Sequence, residues 1–110
     1  MDDIAGGRAR SRRYVREVMR KEVEIVNELG LHARPAAAFV RCAQDFKSDV
    51  FILKDGHRYR ADSIIDVMTA NLDCGTHVEL EAEGYDAPEA LDRLAALLLE
   101  LRYIDAPEAA

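Results

Sequence analysis

The sequence predicts an α+β open-faced sandwich: a four-stranded antiparallel sheet covered on one side by three helices, in the order βαββαβα. Three observations predict it. The hydrophobic period switches repeatedly between two and 3.6, so short strands alternate with helices. An Asp-Gly pair joins two short β-forming runs, as a two-residue hairpin does. Every helical segment is apolar on one side only, which fits helices laid on one face of a sheet whose other face meets water.

Taken in order, "EVEIV" (22–26) alternates glutamate with Val23 and Ile25, a half-buried first strand. From Ala33 to Asp45, Ala36, Phe39, Val40 and Ala43 recur at i, i+3, i+4 and i+7, one stripe of a helix. "DVFIL" (49–53) is the second strand, "KDGH" its turn, and "HRYRA" (57–61) the returning third strand. Ser63 opens the short helix "SIIDVM", with a Ser-x-x-Asp pattern resembling a capping box. "CGT" turns the chain into "HVELEAE" (77–83), where Val78, Leu80 and Ala82 face inward and Glu79, Glu81 and Glu83 form a wet acidic face. Asp86, Pro88 and Glu89 start the last helix, cap first and proline within the first turn. Leu91, Leu94, Leu98 and Leu101 form its stripe.

Length and charge narrow the function classes. A chain of 110 residues makes one domain with a single modest core. The net charge of -6 argues against nucleic acid as the main partner. That charge is unevenly spread: residues 1–21 carry seven basic and three acidic side chains, whereas residues 22–110 carry eight and eighteen. Residues 1–20 therefore read as a basic, frayed or weakly helical arm, 21–105 as the domain and 106–110 as a tail. A start at Met19 and an arm that touches an acidic partner or nucleic acid are alternatives left open. No apolar run approaches the ~20 residues of a membrane span, and no secretory signal is evident. With Cys42 and Cys74 expected to stay reduced, the domain reads as cytoplasmic.

The chemistry concentrates in "NELGLHARPAAAF" (27–39). If the helix begins at Ala33, His32 is its N-cap and Gly30 permits the turn that leads into it. The first amides of a helix have no intrahelical partner, and Pro35, as third helical residue, gives up an N–H at little cost. The amides of Ala33 and Arg34, with the helix dipole, favour an anion beside the imidazole and disfavour imidazolium. Arg34 adds a planar fork of donors suited to phosphate. A neutral nucleophile beside an anion-binding helix mouth is what reversible phosphorylation of a histidine needs. A purely structural capping histidine is the competing reading.

"GLHARPAAAFV" resembles the active-site signature of the HPr family, the histidine-containing phosphocarriers of the bacterial phosphoenolpyruvate-dependent phosphotransferase system. The resemblance runs from about Lys21 to Ile104, with "ADSIIDVM", "GTHVELEAEG" and "DAPEALDRL" falling where the family has its second signature, last strand and last helix. It implies the HPr-like form of the predicted sandwich. It also implies that His32 accepts a phosphoryl group from enzyme I, through the ring nitrogen nearer the backbone, and passes it to an enzyme II A-type acceptor. By the same resemblance Arg34 contacts the phosphoryl group, beside the Ala33 amide that the helix start already offers to phosphate, and Ala33, Ala37, Ala38, Arg41, Ile64, Ile65 and Met68 dock partners. The short helix cannot bury Ile64, Ile65, Val67 and Met68 together, which independently favours an exposed docking patch.

Ser63 has two readings. As an N-cap it is worth about 1 kcal/mol; in part of the family the matching serine is phosphorylated by a dedicated kinase. Here Asp62 stands where many members are basic, and Asp66 lies one turn onward, so two carboxylates would oppose an added dianion. Leu29, where sugar-transport members often carry a small polar residue, resembles the nitrogen-regulatory branch. His57 and His77 lack metal-ligand spacing to the cysteines, so neither metal nor cofactor is expected. The chain is expected to be a monomeric carrier without turnover of its own; a regulatory binding module of the same fold is the alternative.

Overall fold

The computed structural model describes residues 18–104. Four strands, β1 (Val18–Glu24), β2 (Asp49–Lys54), β3 (His57–Arg60) and β4 (His77–Glu83), form one antiparallel sheet in the order β1-β4-β2-β3. Strand β4 is paired on both sides, with Glu83 opposite Val18 on β1 and opposite Asp49 on β2. Asp55 and Gly56 both take positive φ, as the hairpin between β2 and β3 requires. Helices α1 (Ala33–Gln44), α2 (Ile64–Thr69) and α3 (Ala87–Glu100, continued by a 3-10 turn at Leu101–Tyr103) lie on one face. This is the open-faced sandwich read from the sequence. None of these helices is long and apolar enough to cross a membrane.

The core is where the stripes converge. Val50, Ile52, Val78, Leu80 and Ala82 leave the sheet on the helical side, and Ala36, Phe39, Val40 and Ala43 of α1 meet them. Leu91, Leu94, Leu98 and Leu101 close the layer from α3, and Val67 is the one α2 side chain buried in it.

Three expectations are corrected. Strand β1 runs Val18–Glu24 rather than 22–26, so Val18–Arg20 belong to the sheet and not to the arm. The rest of the arm and the tail lie outside the described residues. Ile25 is buried even so, just past the strand end. Asp86 occupies the α3 cap position, but its carboxylate makes no cap hydrogen bond. It accepts instead from the amides of Lys47 and Ser48, both at 2.9 Å, and from the Ser48 hydroxyl. Burial works to raise this carboxyl, but those donors outweigh it and hold Asp86 below the usual carboxylate range.

Glu81 does not belong to a wet face: only 5% of the residue is exposed. Arg20 of β1 donates to its Oε2 through Nε (3.0 Å) and Nη2 (2.8 Å), and Arg58 of β3 to its Oε1 at 3.2 and 3.0 Å. Arg58 also stacks 3.8 Å over the Phe51 ring. Burial pushes the Glu81 carboxyl up; the two guanidiniums overcome that and hold it low.

Candidate functional site

The loop carrying the site histidine is stitched down by backbone groups. Ile25 N–H donates to Thr76 C=O (2.8 Å), Gly75 N–H to Ile25 C=O (2.7 Å) and Leu31 N–H to Leu72 C=O (2.8 Å). Gly30 turns the chain at φ +74. A Cβ there would lie 2.9 Å from the Leu72 carbonyl oxygen and 3.2 Å from Asp73 Cα, so both the angle and the space demand glycine. Buried Asn27 donates through Nδ2 to Leu101 C=O (2.7 Å), tying the same loop to the end of α3.

His32 occupies the N-cap of α1 in extended backbone, and its side chain makes no capping hydrogen bond. The first helical hydrogen bond runs from Ala36 N–H to His32 C=O at 2.8 Å. Ala33 and Arg34, both exposed, precede that bond, and Pro35 between them and Ala36 has no N–H. The ring itself is held by packing. Its Nε2 is buried with no hydrogen-bond partner, whereas Nδ1 is not so confined. An orphaned buried ring nitrogen costs about 1–3 kcal/mol, and such groups tend to mark functional sites.

A cavity of about 140 Å³ opens next to the ring, bounded by Leu29, His32, Met68, Asn71 and Asp73 among others. Sequence reasoning singled out Leu29 and Met68 but missed Asn71 and Asp73. The signal available was a turn-forming Asn, which here adopts φ +55. Arg34, Ala37, Ala38, Arg41 and Ser63 do not line this cavity. Ala37 and Ala38 are half-buried on α1, and Arg41 is exposed beside a groove shared with Arg93 of α3.

Helix α2 resolves its surplus of apolar residues: Val67 is buried while Ile64, Ile65 and Met68 are exposed, Ile65 to 73%. Ser63 caps it, with Oγ accepting from Asp66 N–H at 3.2 Å. The reciprocal half of the expected capping box is not made. The Asp66 carboxylate accepts from Arg60 N–H (2.9 Å) instead of turning back to Ser63. The Arg60 guanidinium holds Asp62 (2.8 and 3.0 Å) and Asp49 (3.2 Å). These bonds raise Arg60 above its ordinary range, and the same guanidinium lowers the Asp62 carboxyl. Cys42 and Cys74 are both free thiols, and burial pushes Cys42 up. Among the described residues no three His, Cys, Asp or Glu side chains gather as metal ligands.

A one-sided α+β sandwich with a histidine at the mouth of its first helix is the arrangement that the sequence resemblance implies. This chain belongs to the HPr family: residues 19–100 match the family model described as "PTS HPr component phosphorylation site". It is 46% identical over 83 residues to the HPr-like protein Crh of Bacillus subtilis, covering 76% of this chain and 98% of that one. It is 43% identical over 81 residues to the phosphocarrier protein HPr of Vibrio cholerae, covering 74% and 95%. Among solved structures, HPr of Bacillus anthracis superposes with a TM-score of 0.70 at 42% identity, over 73% of this chain and 95% of that one. A crystal structure of B. subtilis Crh, described as a dimer with a swapped domain, gives 0.58 at 46% identity, covering 73% and 92%.

Proposed function

We propose that this protein is a phosphocarrier that takes a phosphoryl group on Nδ1 of His32 from enzyme I and passes it to an enzyme II A-type acceptor. The donor's bond to phosphorus breaks as the Nδ1–P bond forms, and the second transfer reverses this on the acceptor. The carrying observation is the histidine itself, standing at the helix mouth with Nε2 buried and unpartnered and no cap hydrogen bond from its ring. Ala33 and Arg34 stabilise the bound phosphoryl group through their amides and the guanidinium fork. Ile64, Ile65 and Met68, with Ala37, Ala38 and Arg41 across α1, form the surface on which enzyme I and the acceptor dock. These partners place its work in the cytoplasm.

Incubation with phosphoenolpyruvate and a cognate enzyme I, read by intact-mass spectrometry, tests this reading. One acid-labile phosphoryl group that His32→Ala abolishes is the expected result. No label from an enzyme I that is active on its own carrier would refute it.

A regulatory module is favoured by a different observation. Arg60 occupies the Asp62 carboxylate and its amide occupies Asp66, so the two charges expected to oppose a phosphate on Ser63 are partly neutralised. In this reading a serine kinase places an acid-stable label that Ser63→Ala removes. As for assembly, a monomer is the expectation from sequence, while solved relatives include a Crh dimer and an HPr dimer of Thermoanaerobacter tengcongensis. Light scattering on the eluting protein decides between them.

A further inference from the structure

Lys54 stands in a row that is otherwise apolar. Val50 and Ile52 of β2 point into the core, and Lys54, two residues further on, shares their face at the end of the strand. The residue is half-buried, and its ammonium donates to the carbonyls of Ala70 (2.8 Å) and Asn71 (2.9 Å). Those two residues follow directly on α2, which has no basic side chain in its own last turn. A cation at a helix C-terminus satisfies carbonyls that lack an intrahelical partner and offsets the negative end of the dipole. Lys54 does this for α2 from a neighbouring strand.

The turn that Lys54 holds is the one that faces the histidine. Asn71 is a non-glycine residue at φ +55, a conformation that persists where the surrounding contacts over-determine it. Its carbonyl takes the Asp73 N–H at 3.1 Å as well as the Lys54 ammonium. The next carbonyl along the chain, that of Leu72, accepts Leu31 N–H at 2.8 Å, and Leu31 immediately precedes His32. Asn71, Leu72 and Asp73 also bound the cavity beside the imidazole. From Lys54 to the site histidine there are thus two hydrogen bonds and two peptide links, with no gap between them.

We propose that Lys54 is a positioning residue for phosphoryl transfer at His32. It fixes the Asn71–Asp73 turn, and the Leu72–Leu31 bond carries that placement to the imidazole at the mouth of α1. The proposal rests on the phosphocarrier reading. Lys54 does not line the cavity beside the ring, so it acts on alignment and not by touching the phosphoryl group. Alignment matters because a displacement of about 1 Å at a reacting atom can cost about 100-fold in rate.

Two variants and two readouts test this. Lys54→Met keeps the length of the side chain and removes its charge and donors, whereas Lys54→Arg keeps both. In steady-state transfer from phosphoenolpyruvate through a cognate enzyme I, Lys54→Met should lower kcat about tenfold and leave KM for the carrier within about twofold. Lys54→Arg should restore most of the lost rate. A native kcat in Lys54→Met, or a loss confined to KM, overturns the proposal.

Hydrogen exchange on the unphosphorylated protein reads the same link without any transfer. The Leu31 amide should exchange about tenfold faster in Lys54→Met and recover in Lys54→Arg. The Ile25 amide, bonded to Thr76 C=O beyond the turn, should not change. Equal acceleration of both amides would mark a general loss of stability and overturn the positioning role, as would an unchanged Leu31. A native chain that takes no label from an active enzyme I refutes the phosphocarrier reading; the exchange result stands apart from it and upholds or refutes the Lys54 link by itself.

Discussion

Replacing Glu81 by glutamine removes one charge from the centre of the sheet and leaves the shape almost intact. The carboxylate receives four hydrogen bonds, two from each arginine. Glutamine keeps one acceptor oxygen and turns two N–H donors toward the other guanidinium, so about half of the bonds are lost and one edge becomes donor against donor. Removing one partner from a fully buried ion pair costs about 3–5 kcal/mol. Here the Arg20 and Arg58 side chains are 55% and 53% exposed, so both guanidiniums rehydrate and much of that cost is returned. About 2 kcal/mol remains, a fall in Tm of about 10 °C for a domain of this size.

Urea denaturation at pH 7 and pH 3 checks both magnitude and origin. The folded carboxyl is held below its unfolded value. Its contribution is therefore complete above the ordinary glutamate range and is lost as pH falls through the lower, folded value. The gap between wild type and Glu81→Gln should thus be widest at neutral pH and narrow in acid. A midpoint within about 0.5 kcal/mol of wild type at pH 7, or a gap independent of pH, would refute the account of Glu81 as a buried, charge-satisfied hub.

Gly30→Ala meets both a positive φ and the Leu72 carbonyl at 2.9 Å. It should cost about 2–3 kcal/mol by thermal melting and slow labelling of His32 in the enzyme I assay more than it slows unfolding-independent controls. Ile65→Glu changes a side chain that is 73% exposed. It should leave Tm within about 2 °C yet weaken enzyme I binding at least about tenfold by titration calorimetry; unchanged affinity would remove α2 from the docking surface.

Much of this molecule is legible in the chain, and where it is not, distance is the reason. Val78, Leu80 and Ala82 announce β4 because each inward side chain is apolar and each neighbour charged. The α1 stripe is equally plain. Strand β1 starts earlier than its alternation because Arg20 is there for Glu81, 61 residues away, and a cation in that position reads as part of a basic arm. Glu81 looks like Glu79 until the strands on either side are known to bring two arginines to it. Asp86 has the sequence of a helix cap and serves instead the amides of a loop 38 residues earlier. In the site, Gly30, His32 and Arg34 follow from local rules of turns and helix starts. The cavity wall at Asn71 and Asp73 comes from a distant turn and leaves no mark near the histidine.

That turn has one more consequence. The bonds that seat the histidine loop on it use the carbonyls of Leu72 and Thr76 and the amide of Gly75, so the loop is aligned by chain length more than by the side chains of the turn. Substitutions at Asp73 or Cys74 leave the frame in place, whereas adding or deleting a single residue between Leu72 and Thr76 would pull the two anchors out of phase and swing the imidazole away from the helix mouth. At Asp73 and Cys74 the molecule is tolerant in spelling, Gly75 at φ +91 still calls for glycine, and the stretch as a whole is intolerant in count.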